Sequence, residues 1–328
     1  MTSPDTNSQV LATPPSVPLE SLRDVLDAYR TCELATIARD GTPVAWPAVF
    51  LVRPDAGGIV LTTSIALPRK AFNIRRDPRV ALLFSDPTGS ERADLPQVLV
   101  RGTASCPDEI HTAPDGLEAY WRRLAEIQPA SRDQRRFAAG RWFFDWYYMR
   151  LVITVTPETV STRPMSAQRS PLAAPRPGRG DRTLFADICR RLPAYSSAVL
   201  STQAADVPPE LRRVRLLADP TAQRLVLEDP GSGPVMPGSA TLLFHGHDEK
   251  LGNLTQFALR GEVLPSDGGW AFRPDRLLPG PEAANPIALV RTMVQLRRTA
   301  DRYLERRGLD RPRIDWDAHD RAAVPLTS

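Results

Sequence analysis

Lysine is almost missing from this 328-residue chain: only Lys70 and Lys250 interrupt a cationic complement otherwise built from arginine. Cysteine is as sparse. Cys32, Cys106 and Cys189 lie far apart with neither paired nor metal-like spacing, which excludes a disulfide framework and predicts reduced thiols in a cytoplasmic protein. The four histidines, His111, His245, His247 and His319, include one close pair but no accompanying Cys or carboxylate pattern of the zinc type, so no metal is expected. No apolar run approaches the roughly 20 residues that span a bilayer, and residues 1–18 lack the basic start and apolar core of an export signal. No membrane association is expected. Charge of one sign is also lacking: 42 Lys+Arg against 38 Asp+Glu leave +4, with the arginines scattered, not striped among aromatics, so nucleic acid is not an expected partner.

What is present is 42% apolar content over a length that favours two domains. Residues 1–18, rich in Ser, Thr and Pro, predict a disordered tail. Residues 19–161 hold a first domain: a helix over 19–31, strands over 33–38 and 42–52, and a turn at Asp40-Gly41 between them. Pro43 and Pro47 mark the second strand as an edge or a bulge. Further strands are expected over 59–61, 80–84, 97–104 and 150–156, with helices over 117–127 and near 132–138. The aromatic run from Trp142 to Tyr148 is expected to serve packing. Residues 162–181 read as a proline-rich, semi-rigid linker, residues 182–318 as a second domain ending in a helix over 287–306, and residues 319–328 as a loose tail.

The stretch 59–84 says most about function. A strand reaches Thr62, Thr63 and Ser64, and a helix opens at Pro68-Arg69-Lys70, where proline suits the first helical position because its missing N–H would be unpaired there. Free backbone N–H groups, the positive end of the helix dipole, two cations and nearby hydroxyls together suit a phosphate. Asp77-Pro78 then stops the helix, and the chain returns as Val80-Ala81-Leu82-Leu83-Phe84.

Arg69-Lys70-Ala71, Asp77-Pro78-Arg79-Val80, Leu82-Leu83-Phe84, Gln97-Val98-Leu99-Val100 and Gly102 occur in an order that resembles the FMN-binding split-barrel family typified by pyridoxamine 5'-phosphate oxidase. The resemblance covers about 20–160 and implies an α+β, mainly β fold. It further implies that Arg69 and Lys70 grip the FMN phosphate, that Thr62 or Thr63 touches the cofactor, and that Gln97 reaches the isoalloxazine. Pro47 stands where relatives carry a cofactor-holding arginine, so Val49 and its neighbours could give only backbone and apolar contacts.

The second half repeats the first: Leu242-Leu243-Phe244 matches Leu82-Leu83-Phe84, and Arg260-Gly261 matches Arg101-Gly102. Two split β-barrels in tandem are therefore expected. Between the matched strands of the second copy, Glu228-Asp229-Pro230-Gly231 replaces the phosphate grip with acids and prolines, which makes that copy degenerate. Because such barrels usually act as homodimers, the tandem implies an intrachain pseudo-dimer, with a homodimer of chains also open. The resemblance implies an FMN-dependent oxidoreductase acting on a small organic substrate, with no assigned catalytic residue. A deazaflavin-dependent reductase, and a flavin- or haem-binding module without turnover, stay open. Haem would need an axial ligand from His111, His245 or His247, each expected at the surface.

Overall fold

A computed structural model describes residues 16–53, 57–92, 94–129, 137–165, 170–228, 235–280 and 286–324. The expected tail over 1–15, the helical piece over 132–136, part of the linker (166–169), the acidic segment 229–234 and the terminal residues 325–328 lie outside those residues.

A short 3-10 turn (Leu19–Leu22) and α1 (Arg23–Ala28) lead into β1 (Cys32–Ile37). Strand alternation sends Cys32 and Leu34 to one face and Ala35 to the other. β2 (Pro43–Ala48) runs back along β1. The single strand expected over 42–52 is in fact broken at Val49, and β3 (Phe50–Arg53) leaves to pair with β4 (Gly58–Ser64). Pro43 and Pro47 donate nothing to a ladder, so β2 stays an edge and the chain swings to the opposite edge. α2 (Arg69–Arg76), β5 (Arg79–Phe84), β6 (Gln97–Ser105), α3 (Glu118–Ile127), α4 (Ala138–Tyr148) and β7 (Arg150–Arg163) complete a sheet of order β2-β1-β5-β6-β7-β4-β3. Its two edges are consecutive in the chain, so it curls around buried Leu34, Phe50, Leu61, Phe84 and Ile153.

The second unit begins at α5 (Leu184–Arg191), whose Ala186 N–H donates to the Thr183 hydroxyl at 3.2 Å as an N-cap. β8 (Ala198–Thr202), β9 (Glu210–Asp219), β10 (Arg224–Glu228), β11 (Gly238–Gly246), β12 (Thr255–Ser266) and β13 (Gly269–Pro279) close into a barrel. β13 was not legible in the sequence, because Arg273, Pro274, Asp275 and Arg276 mask its apolar positions. β9 pairs with both β8 and β10. Putting β2 plus β3 in place of β9 reproduces the order of the first sheet strand for strand, so the fold is a tandem of split barrels. Even the irregularity repeats: a bulge follows Arg101 in β6 and Arg260 in β12, and a Cβ on Gly102 or Gly261 would strike the carbonyl of Thr156 or Arg273.

The barrels pack through Ala35, Ala81 and Leu83 against Val199, Leu211 and Leu243. Their polar contacts are reciprocal. Arg101 reaches Glu210 at the start of β9, and Arg260, its counterpart, reaches Asp40 and Thr42 in the β1–β2 turn. This is how a two-fold interface pairs its residues. Between the barrels Glu33 is fully buried, accepting from Arg213 at 2.7 Å, His245 at 2.9 Å and the Ser85 hydroxyl at 3.0 Å. His247 lies 3.6 Å from Asp86. Both histidines are thus buried rather than at the surface, held there by carboxylates that no local pattern announces.

The C-terminal helices α6 (Pro286–Glu305) and α7 (Trp316–Ala322) correct the expected grouping. They follow the second barrel in sequence but pack on the first: Ala300, Tyr303 and Leu304 enter its core, and His319 rests against Trp121 and Tyr148. α7 also occupies part of the expected tail. From the linker, Leu172 is buried in the second barrel's core. Among the described residues no helix is long and apolar enough to cross a membrane.

Candidate functional site

The Pro68 carbonyl accepts the Phe72 N–H at 3.0 Å, which makes Pro68 the cap of α2, one residue ahead of the expected place. Arg69 then points to solvent, and Lys70 turns inward, half-buried, with its ammonium 5.9 Å from the Trp46 ring centre. Burial pulls the Lys70 pKa down to about 8, and the charge of Arg150 pushes it the same way.

Arg150 opens β7 opposite Ser64. It is 7% exposed, and its guanidinium lies 3.9 Å from the centre of the Tyr147 ring and 5.4 Å from that of Trp121. Its Nε is buried without a hydrogen-bond partner, and among the described residues no carboxylate pairs with either Arg150 or Lys70. A buried guanidinium and a half-buried ammonium near it, neither with a counter-charge among the described residues, form a place where an anion is stabilised.

The hydroxyls expected to touch a cofactor are engaged within the protein. Thr62 donates to the buried Tyr120 hydroxyl at 3.1 Å, and Thr63 donates to the Leu67 carbonyl at 2.9 Å, shaping the turn before α2. Val49, at the break between β2 and β3, is half-buried against the cluster of Val60, Tyr120 and Trp121. Thr62, Thr63, Arg69 and Lys70 therefore lie on one short path from β4 into α2, with Val49 on the strand break nearby.

Gln97 does not join them. It pairs with Arg163 at the far end of β7, whereas Thr62 pairs with Val152, a separation of ~36 Å of strand path at the usual rise. Its surroundings are the Arg163–Glu210 contact with the second barrel. The same register position in the second barrel carries Gln256, half-exposed and paired with His245, whose ring reaches Glu33 beside Pro47. Gln256 is therefore the glutamine whose ladder partner reaches β1 beside β2.

Arg150, Trp46 and Tyr120 carry no strong local mark in the sequence. The available signal was an arginine directly after the aromatic run, opening an otherwise apolar strand. A separate cleft of about 430 Å³ lies between the barrels at the other end of α2, lined by Arg39, Arg76, Asp77, Arg79 and Asp206, with Arg79 and Asp77 already paired at 2.6 Å.

Residues 19–162, the curled sheet with this site, match the family profile described as pyridoxamine 5'-phosphate oxidase. The first barrel belongs to the pyridoxamine 5'-phosphate oxidase-like split-barrel family. Similar solved structures include a conserved hypothetical protein of Mycobacterium tuberculosis, 26% identical over 46% of this chain and 88% of that one, TM-score 0.32. An F420 reductase is 23% identical over 42% of this chain and 94% of its own, TM-score 0.29. A FAD-binding protein of Mesorhizobium loti is 19% identical over 46% and 98%, TM-score 0.31. No curated protein matches the sequence. Lys70 and Arg150 lie at the turn into α2 within the matched residues.

Proposed function

We propose that the first barrel binds FMN and that the chain is a flavin-dependent oxidoreductase acting on a small organic molecule. The observation that carries this reading is the uncompensated pair Lys70 and Arg150 beside the start of α2, in a barrel of a family with flavin-binding members. Arg69 and Lys70 would hold the phosphate, with Arg150 as the third cation. Trp46 and Val49 would wall the ring, and Gln256 of the second barrel would supply a polar edge in the place the resemblance gave to Gln97. The second barrel would then stand in for a partner subunit, which the reciprocal arginine contacts support. Bound flavin would supply the electron transfer, while the protein positions it and excludes water.

A deazaflavin cofactor also carries a phosphate, which the same cations would hold. Haem fits less well, because His245 faces Glu33 at 2.9 Å and His247 donates through Nδ1 to the Asp248 carbonyl at 2.9 Å. The test is absorbance, fluorescence and mass of whatever nucleotide the purified protein releases on denaturation, followed by titration with FMN. Flavin release or tight FMN uptake is expected. Failure to take up either flavin or deazaflavin would overturn the reading.

A further inference from the structure

α6 follows the second barrel in the chain yet lies on the first, and it is fastened there at two carboxylates. Asp108, in the loop after β6, accepts from Arg75 of α2 at 2.9 Å, from the Tyr303 hydroxyl of α6 at 2.6 Å and from Arg307 Nε just beyond α6 at 2.9 Å. Arg75 adds bonds to the Cys106 and Pro107 carbonyls at 2.6 and 2.7 Å. Above this joint the Phe72 and Tyr303 rings are nearly parallel, with centres 6.0 Å apart, and the Arg307 guanidinium lies 3.8 Å from the Tyr303 ring centre. α2 is therefore gripped on the side of Phe72 and Arg75, while Asn73 ties its other side to Thr36 of β1 at 2.9 Å. The second joint is Asp145 of α4, which accepts from Arg297 of α6 at 2.6 Å and from Arg311 Nε at 2.7 Å. Arg297 also donates to the Trp142 carbonyl at 2.6 Å. Carboxylates that each serve several charged donors hold them more firmly than a lone exposed ion pair does. α2 carries Lys70, and α4 ends at Tyr148, two residues before Arg150. One helix from beyond the second barrel thus spans the two elements that present the two cations.

We propose that α6 is a strut that sets α2 against the end of α4, with Asp108 and Asp145 as positioning residues for the anion site. This deepens the reading that α2 and Arg150 hold the ligand phosphate, and it rests on that reading. Each carboxylate acts through the arginines it holds. The sign of the effect separates positioning from charge. A carboxylate near an anion site repels the anion, so on charge alone removing Asp108 or Asp145 would tighten phosphate binding. Loss of a strut does the opposite, because α2 and α4 are no longer held at the spacing the ligand needs. Linkage makes the coupling reciprocal: by whatever factor docked α6 favours the phosphate, bound phosphate favours docked α6.

The experiment is titration of the full chain with FMN and with riboflavin, which has the same ring system and no phosphate, in the wild type, Asp108→Ala, Asp145→Ala, the double variant and Tyr303→Phe. FMN affinity should fall about fivefold or more in each aspartate variant, with riboflavin affinity unchanged. The double variant should lose little beyond the larger single loss, since both joints hold one strut. Tyr303→Phe keeps the ring over Phe72 and removes only the hydroxyl, so it should fold and show a smaller loss of the same kind, which carries the test if an aspartate variant does not fold. Hydrogen exchange of the α6 amides should slow on FMN saturation in the wild type and respond less in Tyr303→Phe. FMN binding unchanged or tighter in the variants, equal losses for FMN and riboflavin, or α6 exchange indifferent to FMN would overturn the strut and leave the anion site standing. No FMN binding by the wild type would overturn both.

Discussion

The two barrels share a strand order and a bulge, yet the connection between their fourth and fifth strands differs in length and in the residues it carries. In the first barrel 65–78 holds α2; in the second the connection between β10 and β11 is the shorter stretch 229–237, without a counterpart in sequence to Arg69 and Lys70. A second difference sits on the strand beside it. The ladders equate Trp46 with Arg212 and Pro47 with Arg213, since Leu34 and Leu200 occupy matching places opposite Leu82 and Leu242. In the first barrel those positions leave Lys70 facing an aromatic ring. In the second, Arg213 is committed to Glu33 and Arg212 lies 3.6 Å from Glu210. The architecture is held by features both copies keep, while the proposed anion site draws on one connection and two side chains that they do not share.

The comparison breaks most severely where the barrels meet. Glu33→Ala should destabilise the chain by about 3–5 kcal/mol in denaturant unfolding, because Arg213 and His245 would be left buried without their acceptor. Replacing Arg69 and Lys70 together by Ala should cost about 3–5 kcal/mol of FMN binding, read by titration, as two charge-assisted contacts are lost. Apo stability should hold or rise, since a desolvated cation has been removed. Gly102→Ala and Gly261→Ala should each cost about 1–3 kcal/mol and by similar amounts, since each Cβ meets a carbonyl at the same bulge. Unequal costs would show that the repeat is topological only.

The smallest effects concern pH. Lys70 binds its proton less tightly in the folded protein, at about 8, than in the unfolded chain, where 10.5 is the ordinary value. Between those values the unfolded state holds more protons, so the ligand-free protein should gain stability as pH rises through that window, and Lys70→Met should flatten the rise. Asp86 behaves oppositely. Its pKa is lowered to about 2 although burial alone would raise it, because Arg213, His245 and His247 favour the carboxylate, so its contribution is present above the ordinary value of 3.8 and lost as pH falls toward 2. Asp86→Asn should remove that part of the acid sensitivity.

Much of this was legible in the sequence where the signal is local. Pro68, Arg69 and Lys70 announce the turn, and Leu82-Leu83-Phe84 against Leu242-Leu243-Phe244 announces the repeat. What depends on distant partners was not. His245 looks like a surface residue until β1 brings Glu33 to it. Arg150 looks like any strand-opening arginine until α2 sets Lys70 beside it. Gln97 and Gln256 hold matching places in the two copies, and only the ladders show that one pairs with Arg163 and the other with His245. Likewise α6 has an apolar stripe but no mark of the barrel it covers.

The central claim is that one anion site exists per chain, in the first barrel. Equilibrium binding of FMN to the full chain, scored for stoichiometry in the wild type and in the Arg69→Ala/Lys70→Ala double variant, tests it most directly. One FMN per chain, abolished in the double variant, is the predicted result; one FMN retained by that variant, or two per wild-type chain, would contradict it.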